Sequence, residues 1–160
     1  MSRPQTPFGY TIFCDDIRQE VGGKTTYIGA YSGFLVLEVD FPVTIPMLCM
    51  AVNFVIGMSD ELRPLSIKAY FDPEEGEEAL LIEGDVPIEG FKAVDARLQG
   101  MDNMNRHAAV HIKLAPFNIE KAGRLKVRAY YGDEEYRLGS LIIVRGPWSP
   151  NAVEKGEQAE

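Results

Sequence analysis

Residues 125–131 read Leu-Lys-Val-Arg-Ala-Tyr-Tyr, and apolar and polar side chains alternate along them. A period of two places each set of side chains on its own face of a β-strand. After a polar loop at 132–135, residues 136–144 form a second run that is rich in β-forming side chains. Two such runs joined by a short loop that begins with glycine predict an antiparallel hairpin.

Similar patterns recur along the chain and predict about nine strands in all. An earlier hairpin joins residues 10–20 to 24–31, because Gly22-Gly23 supplies the positive φ angles of a tight turn. Residues 47–56 are almost wholly apolar, as in a central strand that is covered on both faces. Further strands are predicted at residues 34–41, 65–71, 79–82 and 110–114. Short strands separated by turn residues are typical of an all-β sandwich or barrel.

One stretch has a helical period. Residues 90–100 lie between two glycines and place Phe91, Val94 and Leu98 on one side of a helix of one or two turns. Residues 101–106 are predicted to be loop. We predict an N-terminal arm at 1–7, one sandwich domain at 8–146, and a flexible acidic tail at 147–160 in which Trp148 packs on the end of the barrel.

Residues 117–127 resemble the corner between strands E and F of immunoglobulin-like sandwiches. The stretch reads Phe-Asn-Ile-Glu-Lys-Ala-Gly-Arg-Leu-Lys-Val, and its glycine matches the corner. Leu125 stands in place of the corner tyrosine, and Val127 in place of the second cysteine of antibody domains. The resemblance implies an Ig-like antiparallel β-sandwich of about seven to nine strands.

A second stretch reads Phe-Cys-Asp-Asp-Ile-Arg-Gln-Glu at 13–20, with Gly-Gly-Lys at 22–24 and Tyr-Ile-Gly-Ala-Tyr at 27–31. It resembles the N-terminal signature of a family of uncharacterised bacterial proteins with no assigned activity. The resemblance supplies no mechanism, and we expect no cofactor.

The charge of the chain restricts its partners. The chain contains sixteen Lys and Arg residues and twenty-four Asp and Glu residues, so its net charge is −8. This negative charge disfavours nucleic acid as a partner. We expect no membrane partner, because no apolar run reaches the length of a membrane helix. Because no apolar run follows residues 1–7, we expect no secretory signal, and Cys14 and Cys49 lie among apolar neighbours. We expect both thiols to be reduced and structural, and the protein to be cytoplasmic.

The candidate binding residues are Asp15, Asp16, Arg18, Glu20 and Lys24, which are predicted to form a polar site at one end of the sandwich. In a regular strand the two aspartates point to opposite faces, so one shares a face with the core. That aspartate needs hydrogen bonds or a cation. The alternative is structural: one aspartate accepts backbone N–H groups or pairs with Arg18, and so holds the first hairpin.

Other catalytic arrangements are not supported. His107 and His111 lie on a predicted strand, where four residues span about 13 Å, so they cannot share one metal ion. No nucleophile elbow and no phosphate-binding loop occurs. We expect no catalytic residue and no metal ligand.

Charge is unevenly distributed. Residues 72–89 hold eight acids and no base, while residues 106–145 hold eight bases and four acids. The acidic segment is either a solvated loop or a docking patch for a basic partner. The asymmetry also suggests a dipolar molecule and head-to-tail self-association.

The sequence therefore predicts a non-enzymatic binding or structural module that acts through its surface, with a protein partner or self-association. One alternative is a small metal-dependent hydrolase centred on Asp15 and Asp16. Another is an accessory protein of a phage or mobile element.

Overall fold

Alternating side chains form strands along most of the chain, and the predicted all-β fold is confirmed. The computed structural model describes residues 5–97 and 104–147. In chain order the elements are β1 (Phe8–Gln19), β2 (Thr25–Ala30), β3 (Phe34–Leu37), β4 (Val43–Ile45), β5 (Leu48–Gly57), β6 (Leu65–Pro73), β7 (Ala79–Val86), α1 (Glu89–Arg97), β8 (Asn105–Leu114), β9 (Phe117–Ile119), β10 (Gly123–Tyr131) and β11 (Glu134–Arg145).

Two large sheets and one small ribbon contain these strands. The first sheet has the order β2-β1-β5-β8 and is antiparallel throughout. The second has the order β3-β11-β10-β6-β7, and strands β4 and β9 form the ribbon. In the described part of the chain, no helix has the length and apolarity needed to cross a membrane.

The main core lies between the two large sheets. Every residue of β5 is buried, as the apolar run at 47–56 predicts. Alternate residues of β5 and β10 meet in this core, and Phe54 packs against the rings of Tyr131 and Tyr136. The inward residues of these two strands are Leu48, Met50, Val52, Phe54, Ile56, Leu125, Val127 and Ala129. Burying one such aliphatic side chain contributes about 1.5–3 kcal/mol.

The outer face of β5 is covered by the first hairpin. Strand β1 pairs with β5 only as far as Cys14, which faces Cys49, and beyond that point β1 pairs with β2 alone. The far end of the hairpin reaches β8, where Gln19 and Tyr27 contact His111. The hairpin therefore folds across the sheet, and a second small core of Cys14, Ile17, Cys49 and Ala51 lies beneath it.

Strand β3 departs from the prediction in length and direction. It ends at Leu37 rather than near residue 41, because its neighbour β11 ends at Arg145, which pairs with Leu37. It runs parallel to β11, so the sheet is not wholly antiparallel. The chain passes from the first sheet to the second between β2 and β3. The immunoglobulin-like assignment stays a prediction, and the described residues contain eleven strands rather than seven to nine.

Several other boundaries differ from the prediction. Strand β4 was not predicted, because three residues between two prolines show no readable alternation. Strand β8 begins at Asn105, so Asn105 and Arg106 are not loop. The turn between β10 and β11 is shorter than predicted, and Glu134 already belongs to β11. The predicted helix is present as α1, with Phe91 buried in the core. Leu98, the loop at 101–103, Trp148 and most of the tail lie outside the described residues.

Buried Arg106 joins three parts of the fold. Its guanidinium group donates two hydrogen bonds to the Asp95 carboxylate of α1, at 2.8 and 2.9 Å. It also donates to the carbonyl oxygens of Gly57, at the end of β5, and of Met58 and Asp60 in the turn that follows. The hydrogen bond from Arg106 lowers the pKa of the Asp95 carboxyl group below its usual value. Arg106 therefore ties α1 and the β5–β6 turn to the start of β8.

We predict that Arg106→Met lowers the free energy of unfolding by about 2–4 kcal/mol, because three carbonyl groups and one carboxylate lose their donor. Urea unfolding followed by fluorescence measures the change. Arg145→Met is the matched control, since the Arg145 side chain is 63% exposed and its ion pair with Asp40 lies at the surface. This variant should cost below about 0.5 kcal/mol. Equal losses in the two variants would contradict this role of Arg106.

Candidate functional site

The predicted polar site is divided between the two faces of β1. Asp15 lies opposite Gly29 of β2 in the hairpin. Its carboxylate accepts a hydrogen bond from the hydroxyl group of Tyr31. Burial and the neighbouring Asp15 carboxylate raise the pKa of Tyr31, so its hydroxyl group stays protonated and donates. Asp15 is therefore satisfied by a neutral donor.

Gly29 is required by the position of Asp15. Its φ angle is +64°, in the left-handed region that favours glycine. A Cβ atom at this position would overlap Oδ2 of Asp15. The Tyr-Ile-Gly-Ala-Tyr stretch thus provides the glycine beneath Asp15 and, two residues later, the tyrosine that donates to it.

Asp16 lies on the other face and has different partners. Its carboxylate accepts the backbone N–H of Ile17 at 2.8 Å and Nε of Arg18 at 3.1 Å. Nζ of Lys113 on β8 lies 3.4 Å from the same carboxylate. The hydrogen bond from Arg18 is the largest cause that lowers the pKa of Asp16 below its usual value. This arrangement agrees with the structural interpretation, in which one aspartate binds a backbone N–H and Arg18 and holds the hairpin.

Glu20 and Lys24 do not join either aspartate. The backbone N–H of Glu20 donates to the carbonyl oxygen of Lys24 at 2.8 Å, which closes the Gly22-Gly23 turn. Neither side chain forms an ion pair with any described residue. The five predicted residues thus form two separate contacts and a turn rather than one site.

The histidines lie on the outer face of β8. His107 is exposed, and His111 is partly buried against Gln19 and Tyr27. Among the residues that the structure describes, no three His, Cys, Asp or Glu side chains are grouped closely enough to hold a metal ion.

The acidic and basic segments meet on the outer face of the second sheet. Asp72 and Glu78 form ion pairs with Lys126 of β10, and Glu83 pairs with Lys68 at 3.3 Å. The other five acids of residues 72–89 form no ion pair within the described ranges. These contacts partly neutralise the charge asymmetry of the sequence. The loop hypothesis holds only for residues 74–78, because β7 occupies 79–86.

An apolar cleft opens at one side of the sandwich, between the edge strands β7 and β8. Its volume is about 490 Å³, and its apolar lining includes Ile67, Ile82, Val86, Val110 and Ile112. Three consecutive apolar side chains of β7, Leu80, Leu81 and Ile82, are substantially exposed, and of these Ile82 lines the cleft. The sequence pattern predicts a strand at residues 79–82. It does not predict that this strand lies at the edge of a sheet, because that depends on which other strands pair with it.

We predict that Gly29→Ala lowers the free energy of unfolding by at least about 2 kcal/mol, from left-handed backbone strain and the clash with Asp15. In an Asp15→Ala background the same change should cost only about 1 kcal/mol, because the clash is gone. A double-mutant cycle by urea unfolding measures the difference. If the effects of the two substitutions were strictly additive, Asp15 would not be the reason that position 29 requires glycine.

We predict that neither thiol reacts in the folded protein. Burial, with the neighbouring Cys49, raises the pKa of Cys14 to about 11, and burial raises that of Cys49. At pH 8 an aromatic disulfide reagent should modify the native protein at least about 100-fold more slowly than the urea-unfolded protein. Rapid native modification of either cysteine would show that the thiols are not buried between the hairpin and β5.

Comparison with known proteins agrees with a family that has no assigned activity. No curated protein matches the chain. No solved structure matches it either. One family model covers residues 9–144, which include both β1 and β11. The chain therefore belongs to the family of unknown function DUF6941.

Proposed function

We propose that the protein is a non-enzymatic binding module that takes up an extended segment of a protein partner along the edge strand β7. The observation that carries this proposal is the exposed apolar run Leu80-Leu81-Ile82 on an edge strand, whose last member, Ile82, lines an apolar cleft. An edge strand presents unpaired backbone N–H and C=O groups, and a partner strand can add to them. Exposed apolar side chains at such an edge are unusual unless a partner covers them.

The chemistry of the cleft specifies the partner segment. One face of an added strand would point toward Ile67, Val110 and Ile112, so the partner needs apolar residues at alternate positions. The other face would pass Glu83 and Asp85, and Asp85 has no ion-pair partner among the described residues. The proposed partner therefore alternates apolar residues with Lys or Arg.

Self-association at this edge is less favourable. Glu77 and Glu78 directly precede β7, and Glu83 and Asp85 lie in its second half. Two copies paired along β7 would bring these acids together in a protein with a net charge of −8. A basic partner relieves this repulsion instead.

The arrangement of the aspartates also favours a binding role over hydrolysis. Asp15 and Asp16 face away from each other, each with its own donors. A metal-dependent hydrolase needs carboxylates that converge on one ion or one water molecule. The diverging carboxylates therefore do not support the hydrolase alternative.

We predict that the peptide acetyl-Lys-Val-Lys-Val-Lys-Val-Lys-amide binds at β7 and shifts the amide NMR signals of β7 and β8. Ile82→Thr should weaken this binding at least about fivefold, because it removes apolar contact in the cleft. Ile28→Thr on edge strand β2 is the matched control, since Ile28 and Ile82 are both 37% exposed.

The control peptide has the same composition in the order Val-Val-Val-Lys-Lys-Lys-Lys, and it should bind at least about fivefold more weakly because its apolar side chains do not share one face. Absence of binding, equal losses in the two variants, or signal shifts confined to β2 would each contradict the proposal.

A further inference from the structure

The outer face of the second sheet carries cations directly opposite one another. Arg128 of β10 faces Lys68 of β6 on one side and Arg137 of β11 on the other. Arg124 and Lys126 lie on the same face of β10, at two-residue spacing. Like charges directly opposite each other destabilise a sheet. This arrangement therefore lowers the stability of the fold unless anions bind to the cations.

Carboxylates of the same chain neutralise only part of this positive charge. Glu78 accepts two hydrogen bonds from the Arg128 guanidinium group, at 3.0 and 3.1 Å, and its carboxylate lies 3.1 Å from Nζ of Lys126. Asp72 also pairs with Lys126, and Glu135 lies 3.6 Å from Arg128. The centre of the cationic face is therefore neutralised from within.

Among the described residues, the two ends of the cationic face form no ion pair, although Arg124 faces Asp72 across β10 and β6. Within residues 5–97 and 104–147, neither Arg124 nor Arg137 has a carboxylate within ion-pair distance. Both line a groove of about 260 Å³, here called the cationic groove, together with Lys126, Val127, Arg128, Gly139 and Ser140.

A β-bulge forms part of this groove. The register between β10 and β11 shifts at Val127 and Arg128, opposite Gly139. Gly139 has a φ angle of +121°, which side-chain-bearing residues rarely adopt. Bulges often redirect side chains near binding sites, and this one lies between Ser140 and Arg137.

We propose that the cationic groove binds an extended acidic segment of a protein, with one carboxylate at Arg124 and a second at Arg137. Glu78 shows the geometry, since its carboxylate already binds the fork of Arg128 in the same groove. Planar pairing of this kind is the usual way in which arginine recognises a carboxylate.

The spacing of the two arginines defines the ligand further. Arg124 lies four residues along β10 from Arg128, which faces Arg137, so the two free arginines are about 13–15 Å apart. Two acidic residues four positions apart in an extended chain span about 13 Å. The hydroxyl group of Ser140 lies between the arginines along β11 and can donate to the backbone of the bound segment.

Nucleic acid fits this face less well. Its phosphates form a continuous row of charge, and Asp72, Glu78 and Glu135 would lie against that row. Two separate carboxylates can instead contact Arg124 and Arg137, which have no ion pair among the described residues. This site is distinct from the β7 edge and does not depend on the function proposed for that edge.

The test uses the whole chain and the peptide acetyl-Gly-Glu-Ser-Thr-Ser-Glu-Gly-amide in a calorimetric titration. Wild type should bind it, and binding should weaken as NaCl rises from about 50 to 500 mM. Arg124→Gln and Arg137→Gln should each weaken binding by about tenfold. Arg145→Gln is the matched control, because Arg145 lies on β11 outside the groove and pairs with Asp40, and it should bind like wild type.

Two further measurements separate this proposal from general charge attraction. The same peptide with Gln in place of both Glu residues should not bind. Glu78→Gln should strengthen binding of the acidic peptide about threefold or more, because it removes one of the two carboxylates paired with each of Lys126 and Arg128. Unchanged thermal midpoints show that the variants remain folded.

The proposal is overturned if wild type does not bind the acidic peptide, or if Arg124→Gln and Arg137→Gln bind it as wild type does. An equal loss in Arg145→Gln would also overturn it, as would equally tight binding of the Gln peptide. Tighter binding of an oligothymidine of similar length would assign the groove to nucleic acid instead.

Discussion

Strand β5 has no face open to water, and the rest of the architecture follows from covering it. One face carries large aliphatic and aromatic side chains that need a second sheet above them. The other face carries Cys49 and Ala51, whose small side chains allow another segment to approach closely. The hairpin of β1 and β2 fills that role by folding back over the sheet as far as β8. This one apolar strand is therefore covered on one face by the second sheet and on the other by the hairpin, which packs more closely against it.

Much of this fold can be predicted from local patterns, since alternation at 125–131 and the apolar run at 47–56 directly indicate strands and their buried faces. The same alternation correctly predicts that Asp15 and Asp16 diverge. It does not predict that Asp15 lies over Gly29, because that contact depends on hairpin register. Strand β4 and the parallel partner of β3 were also beyond local patterns, since each depends on a neighbour distant in sequence.

The distribution of charge on the surface also depends on pairing between strands that are distant in sequence. Acids near residue 78 and bases near residue 128 are about fifty residues apart, yet they are adjacent because β6 lies beside β10. Composition alone suggested a dipolar molecule, whereas the sheet partly cancels the two charges at its centre. Two features remain in separate places: an apolar edge at β7 with acids beside it, and two arginines of the cationic groove that have no ion pair among the described residues. Partners of opposite charge are therefore directed to different parts of one small domain.

The parallel pairing of β3 with β11 has a consequence for synthesis of the protein. Phe34 pairs with Ile142, roughly a hundred residues later in the chain. While the ribosome is still making the central segments, β3 has no sheet to join, and the large apolar side chains of β5 lack the layer built around β10. Closing such distant contacts is slow, because the loop entropy must be overcome before the contacts form. The nascent chain thus exposes its most apolar strand until translation is nearly complete, and chaperones that bind extended apolar segments would encounter it at that stage.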